Sequence, residues 1–551
     1  MQAVLERQQV ERQSECQTPR QRRELWPWIA VGVAVLAGLA LRWQYFTREE
    51  VIGTDGAWYA TLGYNLLHGR GYTDITGATS TFYPPLYPIS VGLVSLIVPN
   101  LELAGRLAAL APNLALIPLT YLLARQAFDR RVAFVAALLT ALLPALAQNG
   151  VLVLSESLYT LCLCGATLAG IAALRRSANR RWLWSGLTGA GLALAALTRT
   201  EGYPYAAIWT ALLIAAYWPR RRGDWRRCGS VVATFAALYL LVLAPYLLFL
   251  HAHTGHWDLS GKVATNVVIA YDGMPAEEDN YFSLSADGAT MGGYAADRDS
   301  LLAELEQSPV GFVKHYRQAL LDELNLLPQT ISPLLFLLAP IGLIFVRWPR
   351  DRRAARLAVL AMLTQLALLP LFFLDQRFLL PMTPALLLFA AAGVVALAER
   401  FSRMMSVTRW HIPVVTWVAV LLVGWVTWFL PVLLIGPFGN YDRWNQAIES
   451  RDAGVWLKAH YPPGQAIMSR KPYVPFYSDG RLVELPQDNL DRILAYGRLH
   501  GARFLVVDER GIADVRPNLL PLLDGPAPPG LKLVYDWHER TGERLRIFEI
   551  T

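Results

Sequence analysis

The stretch RRRGDWRRCGSVVATFAALYLLVLAPYLLFL (Arg220–Leu250) decides the fold. It opens with Arg220, Arg221, Arg222, Arg226 and Arg227, then runs from Val231 to Leu250 without a charged side chain. About 20 apolar residues in a helix cross the hydrocarbon core of a bilayer. A cationic cluster before such a run marks the cytoplasmic side. Working outward, ten further stretches read the same way: Leu25–Phe46, Leu103–Leu123, Val132–Ala147, Val151–Leu174, Trp182–Leu197, Tyr203–Trp218, Ile331–Phe345, Ala354–Leu374, Phe378–Ala398 and Ile412–Ile435. Arginines precede the first span and follow the second, fourth, sixth, eighth and tenth, so every second loop is basic. The expectation is a polytopic α-helical membrane protein of about eleven spans, with the N-terminus cytoplasmic and the C-terminus outside.

Composition agrees. Of 551 residues, 54% are hydrophobic and 17% charged, and the mean hydropathy is +0.31. A wholly soluble chain needs roughly a quarter charged residues, and a disordered one has few aliphatic and aromatic side chains. Both classes are excluded. The net charge of +7 sits in short clusters between apolar runs rather than along one stripe, which argues against nucleic acid. Four cysteines at these spacings give neither a disulfide framework nor a metal finger.

The sequence divides into a cytoplasmic tail (1–24), a transmembrane domain (25–435) with outer loops 47–100 and 251–330, and an extracytoplasmic tail (436–551). In the last, helix-like patterns (Trp444–His460, Asn489–His500) alternate with strand-like runs (Ala466–Ser469, Arg481–Leu485, Arg503–Val507, Leu531–Tyr535, Leu545–Ile550). That alternation predicts a small α/β domain. The basic stretch Arg470-Lys471-Pro472-Tyr473 is its candidate binding surface.

The first outer loop reads Gly53-Thr54-Asp55-Gly56-Ala57-Trp58-Tyr59 and continues to His68. Trp58, Leu62 and Leu66 recur at helical spacing, which predicts an interfacial helix with its aromatic side in the membrane. Asp55 at its start reads either as a helix cap or as a carboxylate placed to take a proton. Spacing leaves both open. Tyr83-Pro84-Pro85-Leu86-Tyr87-Pro88 then opens an apolar run ending at Pro99, too short to span and read as a re-entrant or interfacial helix.

Beyond these, Ser155-Glu156-Ser157, Leu197-Thr198-Arg199-Thr200-Glu201-Gly202 and Asp375-Gln376-Arg377-Phe378-Leu379-Leu380-Pro381 fall in outer turns. In this order the motifs resemble the GT-C glycosyltransferases, in the group of protein O-mannosyltransferases and lipid A aminoarabinose transferases (family 39-like). The resemblance covers roughly Leu25 to Ala398. It implies transfer of a sugar from a polyprenyl-phosphate donor to a lipid, glycan or protein acceptor on the outer face of the plasma (inner) membrane, with inversion. It places the base at Asp55 and a second acid at Glu156. The leaving phosphate needs positive charge, for which Arg377, Arg199 and Lys262 are the candidates. Charge at such depth is costly and usually functional. The alternative is that Arg199 pairs with Glu201, and Arg377 with Asp375, as structural ion pairs. Trp58, Tyr59, Tyr83 and Tyr87 are candidates for acceptor contact or for shaping the site.

The sequence assigns no metal. His251, His253, His256 and Asp258 match no strong zinc pattern, and a divalent cation is the one cofactor left open. A transporter or flippase is the rival reading. It expects internal repeats and mid-membrane acids, whereas no repeat is apparent and the acids sit at the outer boundary. An oligosaccharyltransferase subunit lacks support, since no Trp-Trp-Asp-Tyr-Gly run occurs in the tail. Eleven spans exceed what a scaffold's anchor requires.

Overall fold

The computed structural model describes residues 27–175, 180–219, 224–262, 270–271, 281–291, 305–306, 308–346, 348–372, 374–407, 412–435, 446–538 and 543–551. The tail 1–24, most of the second outer segment between 263 and 304, and the start of the last segment (436–445) lie outside them.

Each of the eleven apolar stretches forms helix. Six helices are long and apolar enough to cross a membrane: Pro27–Phe46 (α1), Leu101–Ala127, Glu156–Leu174, Asp224–Thr254, Arg350–Leu371 and Gln376–Ser406. Pro309–Ile331 and Pro333–Phe345 form a pair bent by 104° at Ser332, the geometry of a broken span or a re-entrant loop. Of the remaining stretches, one forms the 22-residue helix Val414–Ile435 and the others are shorter or broken. Val132–Ala147, for example, splits into Arg130–Leu142 and Pro144–Asn149. Pro144 starts the second piece because its missing N–H rules it out of a continuous helix. Among the described residues, helix length and composition therefore support six crossings, or seven with the bent pair, a coarser count than the eleven apolar stretches.

The spans pack through small residues, as helices in lipid do. A Cβ on Gly342 would fall 1.9 Å from the Phe389 carbonyl oxygen, and one on Gly393 2.2 Å from that of Leu338. Among the described residues, the ionisable side chains of Arg42 and Glu323 are fully buried. Arg42 of α1 donates to Asn113 Oδ1 at 2.7 Å and to the carbonyls of Gly38 and Ala141 at 2.9 Å. Asn113 in turn donates to Ser157 Oγ and Leu146 O, both at 2.9 Å.

Two short helices lie ahead of the second long one, which is α4 (Leu101–Ala127): α2 (Thr54–Leu67) and α3 (Leu86–Ser95). They cross backbone to backbone. A Cβ on Gly63 would sit 2.0 Å from Pro88 O, and one on Gly92 2.4 Å from Gly63 O. The buried face of α2 (Gly56, Ala57, Tyr59, Ala60, Leu62, Gly63) is covered by α3 and α4. Leu62 is fully buried within the protein, while Trp58 and Leu66 are half-buried. The helix predicted to lay its apolar side in the membrane thus spends that side on protein.

The C-terminal segment folds as α5 (Ile448–His460), β1 (Ala466–Ser469), α6 (Tyr473–Tyr477), β2 (Arg481–Glu484), α7 (Leu490–Leu499), β3 (Phe504–Asp508), β4 (Leu531–His538) and β5 (Arg544–Ile550). The sheet order is β2-β1-β3-β5-β4. β1 pairs parallel with β2 and β3, and β5 antiparallel with β3 and β4. Alternate residues of β3 serve two cores. Leu505 and Val507 join Ile493 and Leu494 of α7, while Phe504 and Val506 join Ala453 and Leu457 of α5. Both faces are covered, so the strand reads as a continuous apolar run.

Candidate active site

Segments distant in sequence meet at the first turn of α2. The Tyr83-Pro84-Pro85 turn reaches the Arg199 turn through Leu86 N–H, which donates to Leu197 O at 2.9 Å. The segment carrying Lys262 is held to the first loop by Ser260 Oγ, donating to Phe82 O at 3.1 Å, and by Gly261 N–H, donating to Thr81 O at 3.2 Å. Asp375 accepts the Arg377 amide at 3.0 Å, turning the chain that delivers the guanidinium.

The charged groups form a ladder of alternating sign. Asp55 Oδ2 accepts from Arg377 Nη2 at 2.8 Å, and Oδ1 from Tyr83 Oη at 3.2 Å. Arg377 Nε lies 3.5 Å from Asp375 Oδ2 and 3.8 Å from Glu156 Oε1. The same Glu156 oxygen accepts from Arg199 Nη1 at 2.7 Å, and Arg199 Nη2 donates to Glu201 Oε1 at 2.7 Å. Phe378 lies under both guanidinium groups, 4.7 Å from Arg199 and 5.2 Å from Arg377. Lys262 Nζ sits over the Tyr83 ring at 5.2 Å and the Phe82 ring at 5.5 Å.

Burial grades along the ladder. The Glu156 side chain is 1% exposed and Arg199 9%, whereas Asp55 and Arg377 keep 22% and 25%. Burial pushes the Asp55 carboxyl up. The charges of Arg377 and Lys262, with hydrogen bonds from Arg377 and Tyr83, outweigh it and hold the group well below the usual carboxylate range. Burial lowers Lys262 against the pull of Asp55. The Tyr83 phenol is pushed far up, first by burial and then by Asp55, and stays a proton donor to the carboxylate.

Asp55, Glu156, Arg199, Arg377, Lys262 and Tyr83 are therefore one cluster. The capping reading of Asp55 does not hold: Gly53 is the N-cap of α2, no side chain caps it, and the carboxylate points to Arg377. Both ion pairs of the structural alternative, Arg199–Glu201 and Arg377–Asp375, are present, but each arginine also bridges to a second acid. Among the aromatics, Trp58 tilts against Tyr83 with centroids 6.4 Å apart, and Tyr59 meets Tyr83 edge-on at 4.8 Å. Tyr87 is fully buried and donates to Gly105 O at 3.2 Å. It supports the site from beneath and offers no surface to an acceptor.

Other candidates fall elsewhere. Among the described residues no three His, Cys, Asp or Glu side chains gather as for a metal ion. His251 stacks on Trp257 at 4.3 Å, and His253 bonds the Phe249 carbonyl. The Arg470–Tyr473 stretch faces the rest of the chain, with Arg470 over Phe282 at 4.5 Å and Tyr473 Oη 2.9 Å from Thr54 Oγ1. Sequence reading missed the Arg42–Asn113–Ser157 network that backs the first turn of the Glu156 helix. Its one visible signal was an arginine near the end of an apolar run. It also missed Tyr477 and Gln446, which accept backbone amides of the segment ahead of α2.

Comparison with known proteins bears on the fold. Residues 83–249 match the family model "Dolichyl-phosphate-mannose-protein mannosyltransferase". No protein of curated function matches the sequence significantly. Among solved structures, ArnT from Cupriavidus metallidurans bound to undecaprenyl phosphate aligns over 95% of this chain and 98% of its own, at 15% identity and a TM-score of 0.55. The oligosaccharyltransferase AglB from Archaeoglobus fulgidus, in complex with an inhibitory peptide and a dolichol-phosphate, aligns over 89% of this chain and 70% of its own, at 13% identity and a TM-score of 0.55. The chain is a multi-pass membrane protein with the GT-C glycosyltransferase fold, and over residues 83–249 it resembles the protein mannosyltransferases of that class.

Proposed function

We propose that the protein transfers a sugar from a polyprenyl-phosphate donor to an acceptor on the extracytoplasmic face of the cell membrane, with inversion at the anomeric carbon. The observation that carries this reading is the Asp55–Arg377 pair. It is a carboxylate and a guanidinium in contact, both partly open, at the end of a buried charge ladder. The polyprenyl and dolichyl phosphates bound to the two fold relatives support the donor class.

In this reading the acceptor's hydroxyl or amine gives its proton to Asp55. Its heteroatom attacks the anomeric carbon from the side opposite the phosphate. The bond from that carbon to the phosphate oxygen breaks, and its electron pair leaves with the phosphate. Arg377 takes the developing negative charge, helped by Lys262, while Arg199, fixed between Glu156 and Glu201, holds the frame. Preorganised cations at a developing anion are the largest lever available to such a site.

The pair also sets an order of events. While Arg377 holds Asp55, the carboxylate is a poor base, because its pKa is depressed. A donor phosphate competes for the same guanidinium. When Arg377 turns to the phosphate, Asp55 loses its main cation and becomes a better proton acceptor. Base strength then rises only once the donor is in place.

The test is purified protein in liposomes with undecaprenyl-phosphate-linked hexoses and extracts of the host envelope as acceptor source. Sugar transfer lost in Asp55→Asn, with folding intact, is the expected result. Movement of the lipid-linked sugar across the bilayer without transfer would instead establish the transporter.

A further inference from the structure

The segment joining α1 to α2, Thr47–Gly53, contains neither helix nor strand, yet its polar backbone is occupied. The amides of Glu50 and Val51 both donate to Gln446 Oε1, at 2.6 and 3.1 Å. Gln446 Nε2 donates back to Arg48 O at 3.0 Å. The Ile52 amide donates to Tyr477 Oη at 2.8 Å, and Thr54 Oγ1 lies 2.9 Å from Tyr473 Oη. Arg451 reaches the Glu50 carbonyl at 3.3 Å and its carboxylate at 3.2 Å. All these partners come from the C-terminal domain. From the membrane domain, Arg106 donates to Glu49 O at 2.7 Å and pairs with Glu102. Tyr477 closes the ring by donating to Glu102 Oε2 at 2.8 Å.

Among the described residues, the other anchor at the start of α2 is the packing of the buried Ile52 and Gly56 against Val153, and the cap itself adds no side-chain bond. That cap is Gly53, without a side chain, and open space surrounds its Cβ position. Asp55 follows three residues after the last amide held by a tyrosine. We infer that the C-terminal domain is a positioning element for Asp55, with Gln446, Tyr473 and Tyr477 fixing the backbone that delivers the carboxylate to Arg377 and Tyr83. This rests on Asp55 as base. It gives the domain a role in the chemistry although none of its residues touches the reacting groups. A misplacement of about 1 Å at a reacting group costs roughly 100-fold in rate, so a hydroxyl here has leverage well beyond one hydrogen bond.

The readout is the protonation of Asp55 itself, followed in the full chain in nanodiscs by the carboxylate infrared band that Asp55→Asn removes. The groups facing it are Arg377, Lys262, Tyr83, Tyr59 and Tyr473. In the wild type the Asp55–Arg377 contact holds the midpoint of this band's titration well below the usual carboxylate range. In Tyr477→Phe and Tyr473→Phe the contact loosens, and the midpoint rises by about one pH unit toward the free value of about 3.9. A domain that merely stabilised the chain would lower the melting temperature and leave this midpoint in place. Thr54→Val removes the same contact as Tyr473→Phe from the other side. It should give the same shift, and the double variant no more than either alone. It also carries the test if a tyrosine variant fails to fold. Midpoints equal to wild type in the variants that fold overturn the inference. Failure of the underlying reading looks different: Asp55→Asn would then transfer sugar normally, whatever the midpoints.

Discussion

The two ends of the charge ladder are built from the same side-chain types and behave as opposites. At the inner end, Arg199 is locked between Glu156 and Glu201 at 2.7 Å each, with Glu156 almost wholly buried. At the outer end, Arg377 shares itself among Asp55, Asp375 and Glu156 and stays a quarter exposed. A buried charge that loses its partner is strongly destabilising, so the inner end cannot exchange partners cheaply. The outer end can, because water or a ligand replaces what it gives up. The lesson is that one arginine holds the frame while the other is free to change hands.

The sharpest way to break this contrast is at the carboxylate. Asp55→Asn is expected to lower transfer by roughly 10²–10⁴-fold, the range for a lost general base, with the fold intact and the melting temperature reduced only by the lost Asp55–Arg377 contact. Wild-type turnover in liposomes would refute the outer end as the reacting end. Next comes Arg199→Ala, which strands Glu156 and should cost about 3–5 kcal/mol of stability, read as loss of folded protein in detergent. If Arg199→Ala were stable and only donor binding suffered, the assignment of roles would be reversed.

Gly63→Ala probes the platform beneath both ends. Its Cβ would meet the Pro88 carbonyl, and the overpacking should cost about 1–3 kcal/mol in thermal unfolding. Arg377→Ala should weaken undecaprenyl phosphate binding about tenfold, or ~1.4 kcal/mol, by titration calorimetry. It should change the melting temperature less than Arg199→Ala does.

The finest distinction is in pH. The folded Asp55 titrates below its unfolded value, so its contribution to stability is fully present above pH ~3.9 and is lost as pH falls through the depressed folded value. The acid limb of kcat/KM reports the free enzyme and should lie below pH ~4, while that of kcat reports the donor-bound form and should lie higher. Coincident limbs would argue that Arg377 never leaves Asp55.

The sequence was most informative where chemistry conflicts with its surroundings. Arg199 and Arg377 stand out because arginine is out of place in turns between apolar helices that the loop pattern leaves free of it, and both turn out to lie in the ladder. All five strands of the C-terminal sheet were legible from alternation and apolar runs. Pairing was not. Nothing in the sequence tells that Arg377 prefers Asp55, 322 positions away, alongside Asp375, two positions away, since contact of that range depends on how whole helices pack. Hydropathy alone does not set the span count, for a related reason. Hydropathy registers an apolar stretch wherever it is buried, and helices such as Pro144–Asn149 are enclosed by their neighbours whether or not they reach both faces of a bilayer. Gln446 and Tyr477 could not be singled out, because a neutral side chain that binds backbone amides leaves no charge or motif to notice.

The contact of Gly63 with Pro88 and Gly92 has a mechanical consequence. With only hydrogen atoms between the two backbones, there is no side chain to flex or take up slack. A tilt of the helix that begins at Thr54 is therefore passed on, undamped, to the proline-bracketed helix beside it and to Tyr83 just ahead. The acid and the phenol that touches it travel as a single stiff lever, and whatever pushes on one arm is felt at the other.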